Sequence, residues 1–254
     1  MWQALFLSGD LNDLQRIRTL AEACDLIWTA DGGLDRARML GMKPYMHVGD
    51  NDSLSQAGLS YLQGQGIGQL KFPVKKDEPD SALALHYMLD QEYAWRRERK
   101  AQVNGALEAK RTPLSLGLTG SGVIFLAGLG SRVDHVLANL DLASRYAQPD
   151  LAFLLTDGLT EVWTLVGPCQ TYIQLPDHDR SDTYLSLLAV SPEVSGLSLQ
   201  GTVWPLENRT LYQGINLGIS NQPLAGEDIQ VQLAQGTLRL VLSREDKAQA
   251  KLKP

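Results

Sequence analysis

Cysteine is scarce in the 254-residue chain: Cys24 and Cys169 are its only two, far apart and in no C-x-x-C pair. That excludes a disulfide framework and argues against structural zinc. Long hydrophobic runs are lacking too, since no stretch approaches the roughly 20 apolar residues that cross a bilayer. There is no basic excess: 23 Lys and Arg stand against 29 Asp and Glu, for a formal net charge of −6. Bulk binding of a polyanion is therefore not expected, and neither a nucleic-acid nor a membrane partner is. The opening MWQALFLSGD has no basic segment ahead of a short apolar run, so the expectation is a soluble, cytoplasmic protein. No G-x-G-x-x-G or G-x-x-x-x-G-K-[ST] motif sits between a strand and a helix, which sets aside a dinucleotide fold and a P-loop kinase. At 44% hydrophobic and 20% charged residues, the chain has ample apolar content for a folded core.

What is present is an alternation. Strand-sized apolar runs at 4–7, 26–30, 46–48, 70–73 and 123–127 are interleaved with helical spacing at 11–24, 34–40, 80–95 and 133–146. Gly41 closes the second helical pattern as a C-terminal signal. Repeated strand–loop–helix units predict a parallel α/β sheet over residues 1–150. After residue 150 the texture changes to short runs at 151–155, 161–166, 170–175, 183–190, 229–233 and 237–242, parted by Gly, Pro, Asn and Asp. This predicts an antiparallel sandwich or barrel over 151–254, with a hairpin turning at Gly236. Residues 96–111 hold six cations and two acids, a net of +4, without an aromatic residue. They read as a solvated helix end and connecting loop.

Ligands of parallel sheets bind at the carboxyl ends of strands, and here those ends carry DGG, GDNDS, PVKKDEPD and GLGSRVD. Asp50 and Asp52 are two apart after a strand, a spacing that turns both carboxylates one way in an extended chain. Asp77 and Asp80 are three apart at the opening of a helix and so share a face. Lys75 and Lys76 precede them, cations suited to phosphate oxygens. Oxygen donors without a His or Cys cluster favour Mg²⁺ over zinc. Arg132 offers a fork to phosphate, Asp134 is placed to orient it or to reach the metal shell, and Asn139 lies one turn from His135 on the same helix face. Asp31-Gly32-Gly33 reads as a further phosphate- or ribose-facing turn. His47, His86 and His178 share no ligand spacing and read as packing or surface residues.

In order, ADGG (30–33), GDNDS (49–53), FPVKKDEPDSALAL (72–85), GLGSRVDHVLANL (128–140), GTVWPL (201–206) and GISN (218–221) resemble the thiamine pyrophosphokinase family over roughly residues 4–245. The resemblance implies transfer of a pyrophosphoryl group from ATP to the thiamine hydroxyl with Mg²⁺, giving thiamine diphosphate and AMP. It implies an α/β (Rossmann-like) ATP-binding domain at 1–150, then a β-sandwich at 151–254 for thiamine binding and dimerisation. It also implies a homodimer with thiamine between subunits. By motif, Asp50, Asp52, Asp77 and Asp80 would form the catalytic and metal set. Asp31, Gly32, Lys76, Arg132, Asp134, His135 and Asn139 would line the ATP side, and Trp204, Ser220 and Asn221 would meet thiamine. The chain departs from the pattern at Asn51, usually apolar, at Pro79, usually Thr, and at Ser131, commonly Gly. Two other readings use the same residues: a Mg²⁺-dependent nucleotide phosphohydrolase with water as nucleophile, and a non-catalytic module binding thiamine or nucleotide.

Overall fold

A computed structural model describes residues 1–72, 78–102, 121–175 and 181–244, without the side chains of 95–102. Its parallel strands are β1 (Trp2–Phe6), β2 (Leu26–Ala30), β3 (Met46–Val48), β4 (Gly68–Leu70), β5 (Ser121–Leu126) and β6 (Leu151–Thr156). Between them run α1 (Leu14–Glu22), α2 (Gly33–Met39), α3 (Gln56–Gly64), α4 (Asp80–Gln102) and α5 (Val133–Tyr146). The remainder is all strand: β7 (Thr160–Val166), β8 (Cys169–Ile173), β9 (Thr183–Ala189), β10 (Glu193–Gln200), β11 (Leu206–Tyr212), β12 (Gly218–Asn221), β13 (Ile229–Leu233) and β14 (Thr237–Arg244).

The strands form two sheets, ten in the order β12-β9-β14-β7-β6-β5-β1-β2-β3-β4 and four in the order β11-β10-β13-β8. The larger sheet is mixed. β6 pairs parallel with β5 in register from Ser121↔Leu151 to Leu126↔Thr156, and its other edge takes β7 antiparallel. Hydrogen bonding thus runs straight through residue 150, where the texture of the sequence changes. Asp157 makes the β6–β7 turn, its Oδ1 accepting from the Leu159 and Thr160 amides at 2.9 and 2.7 Å. Arg16 of α1 grips Glu161 of β7 through Nε and Nη2, at 2.8 and 2.6 Å, and so ties the helical half to the antiparallel half.

Period-2 alternation divides the apolar side chains between two faces. Phe6, with Ile17 and Leu20 of α1 and Ala37 of α2, joins Trp163, Leu240 and the smaller sheet's Leu197 and Val231 in one cluster. Leu5, Trp28, Phe125 and Phe153 face the other way, onto Leu85 and Met88 of α4 and Ala143 of α5. Helices therefore cover both faces of the parallel section, and the smaller sheet extends the cover on the α1–α2 side. Each fully buried Leu or Phe contributes about 1.5–3 kcal/mol through apolar burial. The order of strands reverses between β1 and β5, which makes the crevice there the natural ligand position of the parallel section.

Gly33 opens α2 hard against β1, and a methyl group there would collide with the Phe6 carbonyl. The second glycine of DGG is thus a packing requirement. Gly33→Ala is expected to cost about 2 kcal/mol or more, as backbone-to-backbone overpacking does. Urea unfolding monitored by circular dichroism measures this, and an unchanged midpoint would contradict the close approach.

Candidate active site

Three strands break at their carboxyl ends through residues in the left-handed region. Asp31 follows β2 at φ +50°, Gly49 and Asn51 follow β3 at +141° and +73°, and Ala127 follows β5 at +54°. Such conformations turn the chain out of the sheet at once, so that side chains gather at one edge. The Asp31 amide donates to the Val48 carbonyl at 3.2 Å and the Gly49 amide to Leu70 at 3.1 Å, fixing both turns to neighbouring strand ends. Gly49 has a second role. A Cβ built there would lie 3.0 Å from Asp31 Oδ1 and 3.7 Å from Asp80 Cγ. The missing side chain is what lets the carboxylates of Asp31, after β2, and Asp80, first residue of α4, close over the β3 turn. Asp80 is buried there.

Asp50 and Asp52 approach differently from the extended-chain expectation. Asn51, being left-handed, makes a turn, and the Asp52 amide donates to Asp50 Oδ1 at 3.0 Å. A hydrogen bond to Asp50, then the Asp50 charge, push the exposed Asp52 carboxyl above the usual carboxylate range, and Asp80 adds to the effect. The field at this edge is therefore strongly negative. Beneath the turn lies His47, buried, its Nδ1 2.9 Å from Thr29 Oγ1 and its Nε2 3.0 Å from Asn51 Oδ1. Burial pushes its proton affinity down, against the opposing pull of Asn51 and Asp80.

The neighbouring wall is made by the loops after β1 and β5. The Gly9 amide donates to the Ala127 carbonyl at 3.0 Å and the Asp10 amide to Leu129 at 2.9 Å. Gly130 packs on this pair, with a Cβ position 3.2 Å from the Asp10 nitrogen. At Gly32, a Cβ would stand 3.1 Å from Ser8 Oγ. Ser8-Gly9-Asp10 thus lies between DGG and GLGS and belongs to the site, although no motif marked it; its position at the end of β1, where strand order reverses, is the signal that finds it. Arg132 and Asp134 are exposed at the start of α5 and form a forked pair at 3.0 and 2.7 Å. His135 is exposed beside them, while Asn139 is buried and donates to the Gly128 carbonyl at 3.4 Å.

Far along the larger sheet, Asn221 closes β12, buried, with its carboxamide engaged by its own surroundings. Oδ1 accepts from the Trp204 and Gln222 amides at 3.1 and 2.9 Å, and Nδ2 donates to the Trp204 carbonyl at 2.6 Å and to Thr202 Oγ1 at 3.2 Å. This staple presents the Trp204 indole, 59% exposed, at the surface. Ser220, at φ +59°, is exposed next to it and its amide donates to Ser186 Oγ at 3.1 Å.

Comparison with known proteins bears on both regions. The family profile described as "Thiamin pyrophosphokinase, catalytic domain" matches residues 17–155, and that described as "Thiamin pyrophosphokinase, vitamin B1 binding domain" matches residues 170–238. The chain belongs to the thiamin pyrophosphokinase family. A thiamine pyrophosphokinase of Bacillus subtilis is 22% identical over 183 residues, 72% of this chain and 71% of its own. A crystal structure of the Bacillus subtilis enzyme superposes with a TM-score of 0.73 at 20% identity, covering 97% of this chain and all of that one. The thiamin pyrophosphokinase of Candida albicans gives 0.68 at 16% identity, over 96% of this chain and 89% of its own.

Within this family fold, the expected ligands divide into two groups by position. Asp31, Gly32, Asp50, Asp52, Asp80, Arg132, Asp134, His135 and Asn139 lie at the carboxyl ends of parallel strands or on the helices that follow, and Trp204, Ser220 and Asn221 lie at the β12 edge. Lys76 and Asp77 fall outside the described residues, as do 103–120 and His178. Among the described residues no three His, Cys, Asp or Glu side chains converge into a closed metal cage. The Arg132 guanidinium, through its hydrogen bond and then its charge, holds the Asp134 carboxyl down at about 2. Its contribution to the fold is present above the ordinary value of 3.8 and is lost as pH falls through about 2. A carboxyl-carbon NMR titration is expected to show this midpoint, rising toward 3.8 in Arg132→Ala; an Asp134 midpoint unmoved by that substitution would contradict the pairing.

Proposed function

We propose that the chain transfers a pyrophosphoryl group from ATP to the hydroxyl of thiamine, giving thiamine diphosphate and AMP. The observation that carries this is the match of a catalytic and a vitamin-B1-binding family profile, in order, to one chain in which the Asp31 and Asp80 carboxylates close over Gly49. In bond terms, the thiamine hydroxyl oxygen attacks the β-phosphorus. The bond from that phosphorus to the α,β-bridging oxygen breaks, and AMP departs with that oxygen. The hydroxyl proton passes to a carboxylate at the strand-end edge. Positioning and charge neutralisation supply most of the acceleration in such transfers.

The donor set fits a hard cation. Asp31, Asp50, Asp52 and Asp80 offer carboxylate oxygens in a negative field, with no His or Cys among them, as Mg²⁺ prefers. Asp50, Asp52 and Asp80, with Asp77, would hold it, and the ion would supply neutralisation of the phosphate charge. Arg132, oriented by Asp134, presents its remaining N–H groups to phosphate oxygens, and Lys76 adds a point charge. Gly32, Asp31 and His135 border the nucleotide. Asn139, bound to Gly128, shapes the loop that receives it. An indole face suits the electron-poor rings of thiamine, so Trp204 is the stacking partner, with Ser220 beside it. Asn221 serves through the staple that sets Trp204.

The two groups of residues cannot meet within one chain. Seven strand spacings separate β12 from β2, roughly 33 Å at the usual inter-strand distance. Around the β12 edge, Val203, Trp204, Ile215, Leu217 and Ile219 are exposed, an apolar surface rare on a monomer. A second copy of the chain covers this surface and brings its own strand-end carboxylates to Trp204. In this reading the parallel section is a Rossmann-like ATP unit, and the antiparallel part of the larger sheet with the smaller sheet is a sandwich for thiamine and dimerisation, the two meeting near residue 150.

The test is an assay of AMP release from ATP. Release is expected only with thiamine and Mg²⁺ together, and Asp80→Asn is expected to lower it about 10²-fold or more, as loss of a key charge-stabilising group does. AMP formed without thiamine would identify a phosphohydrolase instead. Thiamine binding with no ATP consumed would leave a binding module.

A further inference from the structure

We propose that His47 is a positioning residue for pyrophosphoryl transfer, holding the Asp50–Asp52 turn in place through a buried chain of hydrogen bonds from Thr29 to His47 to Asn51. The inference rests on the transfer function and adds to it a residue outside every motif.

Thr29 and His47 are directly opposed across the parallel β2–β3 pair, so their side chains meet on one face of the sheet. Both are buried, at 0% and 1% exposure. The imidazole spans the gap from that face to the loop above it, with Thr29 Oγ1 2.9 Å from Nδ1 and Asn51 Oδ1 3.0 Å from Nε2. Donors and acceptors match along the chain. The Asn51 carbonyl oxygen accepts, so Nε2 carries the hydrogen, and Nδ1 accepts the Thr29 hydroxyl proton. One neutral tautomer satisfies both bonds, and no other side chain type reaches both partners with a rigid ring.

What the chain of bonds holds is an unfavourable backbone. Asn51 sits at φ +73°, where Asn is tolerated better than most residues but gains nothing by itself. The bond from its own side chain to a buried ring anchored in the sheet fixes the turn. Asp50 and Asp52 are its immediate neighbours, and the Asp52 amide already bonds the Asp50 carboxylate across it. A movement at Asn51 therefore displaces both carboxylates. A merely structural His47 would instead fill space between β2 and β3, and its loss would cost stability whatever residue stands at 51.

A double-mutant cycle separates the two. His47→Leu keeps the volume and removes both bonds; Asn51→Gly keeps access to the left-handed backbone and removes the side-chain anchor. Each variant is expected to lower kcat about tenfold, a misplacement effect on the chemistry, with thiamine KM changed less than about twofold. The double variant is expected to lose no more than about twofold beyond either single one, because both remove the same contact. His47→Leu with wild-type kcat and only a lowered melting temperature overturns the positioning role. So do losses that multiply to about a hundredfold in the double variant. If the unmodified chain releases no AMP, the transfer reading falls and the positioning role with it. If it does, multiplying losses overturn the positioning role alone.

Discussion

The structure depends on one uninterrupted ladder of backbone hydrogen bonds across ten strands. Its critical rung is the double use of β6, parallel to β5 on one side and antiparallel to β7 on the other. That strand joins two regions with different chemistry in one sheet. On one side, parallel strands all end at the same edge and deliver short acidic loops to it. On the other, antiparallel strands carry hairpins and an exposed indole. The ladder joins the regions and equally keeps the acidic strand ends apart from the exposed indole.

At the acidic edge, local sterics and electrostatics work against each other. The carboxylates crowd because Gly49 lacks a side chain and because Asp31 and Asn51 turn sharply. Crowding raises the proton affinity of Asp52 and disfavours the fully ionised state. A site meant only to be stable would not be arranged so. In the proposed reading a cation and a chain of phosphates would remove that repulsion on binding. The indole end follows different rules. There the Asn221 carboxamide is spent on the protein's own backbone and leaves Trp204 as the group on offer.

Much of the parallel section was legible because its signals are local. β1, β2, β3 and β5 are short apolar runs followed closely by Gly or Asp, and the helices expected from 34, 80 and 133 begin at Gly33, Asp80 and Val133. The antiparallel region was less so. β10 is interrupted by Gly196 at φ +64°, which shifts its register against β11 and breaks the alternation that betrays a strand. β11 turns Glu207, Asn208 and Arg209 to solvent in succession, and β12 is four residues long. β6 read as the first strand of a new unit, since an apolar run records burial and not the direction of its partner. α3, a helix of mixed face whose Leu62 packs with Leu34, Leu54 and Ile67, also gave no clear period. At the acidic edge, Asp50 and Asp52 stood out by their spacing, although the turn at Asn51 replaces the extended chain which that spacing suggests. His47 and Ser8-Gly9-Asp10 did not, because their places are set by cross-strand register and by strand order, both properties of the assembled sheet.

Subunit complementation tests the central claim, that a complete site needs the carboxylate edge of one chain and the indole edge of another. Asp80→Asn and Trp204→Ala chains, each inactive as a homodimer, are unfolded together, refolded as a mixture and assayed for thiamine-dependent AMP release. A twofold-symmetric pair with shared sites rebuilds one intact site in each mixed dimer, so activity should return to about a quarter of the unmodified level. A mixture that refolds into dimers yet stays as inactive as its parents would contradict the account.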